Sequence, residues 1–198
     1  MKFTRVVSFL VTVVSTSVLV VATPVETLSG SDISGLCRGC NPGRQVLSLV
    51  KKLQADTRAT LALLENCRTT GCNTTDLFVE LAAKVDQCNN AAVTLEVDDT
   101  NLDSKTKVQV SEIVTRIILD VSTGCSKFQD VNIEDFVYVS LCSKIDVALK
   151  ELCITLDLLI KGCLGLISSI CLPKSALLLA ANFKACLSIF TNLSLGLA

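Results

Sequence analysis

The last third of the chain, Leu141 to Ala198, most restricts what it can fold into. Two apolar runs, LCITLDLLIKGCLGLISSICL and SALLLAANFKACLSIFTNLSLGLA, meet at Pro173. A block this apolar suits three arrangements: a membrane hairpin, the core of a helical bundle in water, or the wall of a lipid-binding cavity.

Charge placement separates them. On a fourth helix Asp146, Lys150, Asp157 and Lys161 share one stripe, because steps of four and eleven residues nearly close whole turns. Each acid precedes its lysine by four residues, the favourable order for pairing along a helix. Val137, Leu141, Ile145, Leu149, Leu152, Leu156 and Leu159 occupy the other faces. The pattern predicts a helix buried in a bundle with one wet edge. In lipid, Asp157 and Lys161 would each cost about 2.5–3.5 kcal/mol, so a membrane span is not expected.

A fifth helix is expected from about Ser175, with Leu179, Phe183, Cys186, Leu187, Phe190, Leu193 and Leu197 on one arc and Lys184, Ser188 and Thr191 opposite. Folding these two helices as a hairpin about Pro173 brings Cys163 and Cys186 to similar heights, which predicts a bond between them. The tail after Lys184 is long enough for a cleaved lipid-anchor signal but lacks a clear polar spacer before it.

Residues 1–22 read as a secretory signal peptide. Lys2 and Arg5 precede an uncharged apolar stretch, Val6 to Val21, and Val20-Val21-Ala22 places small residues before a cut at Thr23. Residues 23–40 form a Ser/Gly-rich arm and 41–198 a single helical domain. Losing Lys2 and Arg5 leaves 16 basic residues against 19 acidic ones. The cations are scattered, there is one Tyr and no Trp, and nucleic acid binding is therefore not expected.

All eleven cysteines lie beyond the signal: Cys37, Cys40, Cys67, Cys72, Cys88, Cys125, Cys142, Cys153, Cys163, Cys171 and Cys186. In an oxidising compartment they read as a disulfide framework, with at least one left over. Sequons at Asn73-Thr74-Thr75 and Asn192-Leu193-Ser194 agree with secretion.

Earlier in the chain, Asn41-Pro42 signals a helix start. Val46, Leu49, Val50, Leu53, Thr57, Leu61 and Leu64 follow at helical spacing, and the stretch from Arg68 to Asn73 is expected to break it. A second helix is capped by Thr75 and carries Leu77, Leu81, Val85, Cys88, Ala92 and Leu95. After the loop VDDTNLDSK, a third presents Val110, Ile113, Val114, Ile117 and Val121, with Gly124 as a left-handed cap. The fourth opens with Asn132 as cap and Glu134 and Asp135 in its first turn, and it extends as far as Cys171 with a bend near Gly162 and Gly165. The expected fold is all-α: a disulfide-stabilised bundle of about five amphipathic helices with a C-terminal apolar helical hairpin.

No residue set demands catalysis. Without histidine, Ser-His-Asp and Cys-His arrangements are excluded. Cys37-Arg38-Gly39-Cys40 has redox spacing but lacks a preceding strand, and it pairs with no second motif at zinc spacing. Asp98, Asp99 and Asp103 do not follow a calcium loop. No cofactor or metal is expected, and the chain reads as non-enzymatic.

The signal peptide ending in ATPV, the sparse aromatics and the stretch SKIDVALKELCITLDLLIKGCLGLISSIC, residues 143–171, resemble fungal small secreted cysteine-rich proteins. The succession of amphipathic helices is more faintly similar to fungal hydrophobic-surface-binding wall proteins. The resemblance implies an extracellular compartment, free or wall-associated, more than an activity. The expected function is surface or partner binding, to the cell wall, a hydrophobic surface or a host component. The competing reading is a lipid or sterol carrier, with Leu152, Leu156, Leu159, Leu179, Phe183 and Phe190 facing the ligand between the C-terminal helices.

Overall fold

The structure, a computed structural model, describes residues 42–95, 104–128 and 135–196. The expected signal peptide, Cys37, Cys40, Asn41, the Asp98–Asp103 loop, Asn132 and Glu134 lie outside them. Among the described residues the chain is helical without a strand: α1 (Pro42–Thr70), α2 (Thr75–Val93), α3 (Ser104–Ser126), α4 (Asp135–Leu159), α5 (Cys163–Cys171), a 3-10 turn (Leu172–Lys174), α6 (Ser175–Ala180) and α7 (Lys184–Ser194). The all-α fold is as the periodicity predicts.

The first helix runs on through Arg68 to Thr70, where Gly71 takes a left-handed φ of 74° and turns the chain. Four residues later α2 begins, and the Cys67–Cys72 disulfide closes the turn. Thr74, not Thr75, holds the position before α2, and its side chain makes no capping bond. Lys84 donates to the Thr60 hydroxyl at 2.7 Å across the seam, which sets α1 and α2 antiparallel.

Three pairings define how α3 sits on α1: Arg58 with Asp120, Leu61 beside Gly124, and Glu65 with Lys127. All three have nearly the same offset in number, so the two helices run parallel. Gly124 lies inside α3 rather than capping it. A Cβ there would stand 2.5 Å from Leu61 Cδ2, so the glycine serves close helix approach.

Helix α4 packs along α2. Their aromatic residues meet at one end, where Phe78 takes edge-on contacts from Phe128 and Tyr138 at centroid distances of 5.4 and 6.1 Å. Helices α3 and α4 touch each other sparingly, because α5, α6 and α7 fill the space between them: α5 and α6 pack on α3, while α5 and α7 pack on α4.

The expected C-terminal hairpin of two long helices is instead a series of short segments. Gly162, with a left-handed φ of 82°, ends α4 and redirects the chain into α5. Pro173 sits in the 3-10 turn, and Asn182 at φ 61° separates α6 from α7. The second break resets the helical phase. Phe183, Cys186 and Phe190 are fully buried, whereas Leu179, drawn on the same arc, is 54% exposed.

The wet-edge reading of α4 also changes. Asp146 is 3% exposed, and neither Asp146–Lys150 nor Asp157–Lys161 forms an ion pair. Both carboxylates turn to helix starts. Asp146 accepts the N–H groups of Ala185 and Cys186 at 2.5 and 2.9 Å in the first turn of α7, and Asp157 accepts that of Leu164 at 2.9 Å in α5. Unpaired N–H donors and a positive helix end make an acid more favourable there than in a surface pair.

Candidate functional site: an apolar line on α4 and a set of interior thiols

Two features of the C-terminal half stand apart from ordinary packing. The first is on the outer face of α4. Val147, Ile154 and Leu158, at steps of seven and four, fall on one line, while Val139, eight residues before Val147, lies about 80° round the helix from it. Their exposures are 43, 39, 76 and 46% respectively. Lys144, Glu151 and Lys161 are also exposed and flank the line, as does the half-buried Lys150. This helix carries apolar residues on two faces, one packed against the bundle and one turned to solvent.

Of the residues expected to face a lipid, Leu152, Leu156, Phe183 and Phe190 are fully buried and Leu159 is 7% exposed. They belong to the core, in contact with one another's helices. Leu179 lies on the surface. The open pocket described, of about 180 Å³, lies elsewhere, between α1 and α3, and is lined by Leu61, Leu64, Glu65, Asp120, Lys127 and Phe128 among others.

The second feature is sulfur. Besides the Cys67–Cys72 bond, seven described cysteines are free and buried: Cys88, Cys125, Cys142, Cys153, Cys163, Cys171 and Cys186. Cys163 and Cys186 are not joined, and they sit against different helices. The break at Gly162 swings Cys163 against α3, where its Sγ lies 3.2 Å from Ser111 Oγ. Cys186 is held on α4, its thiol donating to the Asp146 carbonyl at 3.5 Å.

Burial raises most of these thiols. Cys88 is pushed up to about 12, with the Asp56 charge adding to the effect. Cys171 also reaches about 12 through burial, which the nearby Thr115 hydroxyl offsets only in part. Cys153, Cys163 and Cys186 are raised by burial as well. Such thiols are poor nucleophiles at neutral pH. Cys142 differs. The neighbouring Cys125 thiol, with a smaller effect from Tyr138, holds it below the ordinary thiol range despite burial, while Cys125 is driven up by the same neighbour. Burial also raises the Tyr138 phenol.

Asn73 and Asn192, the two sequon asparagines, are both exposed. Asn73 accepts the N–H of Thr75 at 2.9 Å in the turn before α2, whereas Asn192 lies within α7.

Sequence reasoning missed Phe78, the hub of the aromatic contact, because it falls just beside the apolar stripe of α2. It also missed the capping acids: an i,i+4 lysine next to each one offered a local partner, and the real one is remote in sequence. The exposed line on α4 was legible as excess apolar residues, but not which of them would be covered. No protein-family model matches the chain, and no curated protein matches it either.

Proposed function

We propose that this is a secreted, non-enzymatic protein that works by surface contact, using the outer face of α4 against the cell wall, a hydrophobic surface or a host component. The observation that carries this reading is the exposed line of Val147, Ile154 and Leu158 on a rigid, fully packed helix. The row is rimmed by Lys144, Lys150, Glu151 and Lys161, and contiguous exposed apolar surface marks a contact site. The signal-like N-terminus and the two exposed sequons agree with an extracellular setting. The carrier reading gains less support, since Leu152, Leu156, Phe183 and Phe190 already fill the interior they were expected to line.

The test is depletion from solution onto hydrophobic beads and onto isolated wall glucan. The parent protein is expected to adsorb, and a Val147→Ser/Ile154→Ser/Leu158→Ser variant to adsorb several-fold less with an unchanged helical circular dichroism spectrum. Equal uptake by both proteins, or none by either, overturns the reading. A native mass spectrum showing stoichiometric bound lipid would establish the carrier in its place.

A further inference from the structure

The most informative unassigned feature is the meeting of α3 and α4 at their joined ends. Tyr138, in the first turns of α4, donates its hydroxyl to the Cys125 carbonyl in the last turns of α3 at 2.6 Å. Cys142 follows Tyr138 by four residues and so lies on the same face of α4, one turn further on. That face is the one turned to α3. The Cys125 and Cys142 side chains are accordingly neighbours, and both residues are completely buried with free thiols in this structure.

We propose that Cys125 and Cys142 form a second, interhelical disulfide that staples α3 to α4. The location supports it. The two helices share little surface of their own because α5, α6 and α7 separate them, so a covalent link at their common end would hold open the cleft that the C-terminal segments occupy. By contrast, the Cys67–Cys72 bond closes a turn within six residues of chain. Among the described residues, no other interior thiol has a single thiol partner so clearly placed. Cys153 has Cys171, Cys163 and Cys186 in its neighbourhood, and Cys88 has an aspartate.

The chemistry needs an external disulfide, such as oxidised glutathione, while the folding chain still exposes both sulfurs. Either cysteine can act first, and Cys142 stands for both. Its thiolate attacks one sulfur of the small disulfide, forming a mixed disulfide and expelling one small thiolate. The Cys125 thiolate then attacks Cys142 Sγ and expels the second. Two protein thiols are oxidised, two small thiols are produced, and the protons lost by the protein thiols pass to them.

This inference requires an oxidant but not the surface-contact reading, so the two fail separately. The full chain is reduced, unfolded, refolded in a glutathione redox buffer, trapped with N-ethylmaleimide and digested with trypsin. Cleavage after Arg116, Lys127 and Lys144 puts the two cysteines on peptides 117–127 and 128–144. A linked pair of these peptides that reduction separates is the expected result. Finding both as alkylated peptides, or either joined to a different cysteine, overturns the proposal. Thiol counts in denaturant give a check that does not depend on native packing. Cys125→Ala and Cys142→Ala should each show one more free thiol than the parent, and the double variant the parent's number. If each single variant instead shows one fewer, both cysteines are free in the parent and the staple is absent.

Discussion

Asp146 Oδ1 accepts the backbone N–H of Cys186 at 2.9 Å, so a carboxylate in the middle of α4 caps a helix forty residues further on. Its other oxygen takes the N–H of Ala185. The side chain is almost fully buried and its remaining surroundings are apolar core, so these two charge-assisted bonds are what make its burial tolerable.

Removing that cap should be costly. Asp146→Ala leaves one buried and one part-buried N–H group unpaired at the start of α7 and is expected to destabilise the fold by about 2–4 kcal/mol in urea unfolding. Asp146→Asn keeps one acceptor oxygen and should fall between Ala and the parent. Faster amide exchange at Ala185 and Cys186 in both variants would locate the loss in α7. Equal stability of all three proteins would rule out the capping role.

The leucines of the C-terminal block should divide by burial rather than by their place in the apolar runs. Leu152→Ala empties a fully enclosed site and is expected to cost about 2–5 kcal/mol. Leu179→Ala removes a side chain that is 54% exposed and should cost under about 0.5 kcal/mol. Similar small losses at both positions would mean that Leu152 faces space rather than core.

Gly124 sets two effects of similar size against each other. Alanine gains about 1 kcal/mol of helix propensity over glycine, but its Cβ would meet Leu61 Cδ2 at 2.5 Å. Leu61 is half-buried, and its terminal methyl has room to rotate away. Gly124→Ala is therefore expected to change stability by less than about 1 kcal/mol, and Gly124→Leu, which a rotation cannot accommodate, to cost about 1–3 kcal/mol. Thermal melts of the two variants decide this.

Glu65 supplies the pH prediction. Hydrogen bonds from Arg68 and then Lys127 lower its carboxyl from 4.5 to about 2. The unfolded chain then binds a proton that the folded one does not over that interval. The stabilising contribution is complete above about 4.5 and fades as pH falls toward about 2. All three side chains are substantially exposed, so salt should weaken the effect. Carboxyl carbon chemical shifts are expected to give a Glu65 midpoint well under the other glutamates at low ionic strength, moving toward them at high salt.

The Cys67–Cys72 bond closes a very short loop. The chain-entropy relation gives about 2 kcal/mol for so small a ring. Cys72 is exposed and Cys67 half-buried, so mild reductant should open this bond without denaturant. Reduction is expected to lower global stability by about that amount in urea unfolding, and to loosen amide protection first around the α1–α2 turn.

Local pattern was enough to determine that this chain is helical. The apolar residues of α1, α2 and α3 recur at steps of three and four, and the residues expected inside are buried or half-buried in the structure. That succeeds because burial of one face is set by periodicity, which the order of residues contains directly. Tertiary structure decided the rest. Asp146 and Asp157 looked like members of a solvated stripe because each had a lysine four residues on, yet both find helix N-termini that no local rule points to. Cys163 and Cys186 looked level on a hairpin until Gly162 and Asn182 took left-handed conformations and reset the phase of everything after them. Tyr138 reaches back from α4 to the Cys125 carbonyl at the end of α3, a contact between residues thirteen apart that periodicity does not announce. Periodicity states which face of a helix wants to be covered, but a partner distant in the chain is chosen by where the breaks aim that face, and a single residue at positive φ is enough to re-aim it.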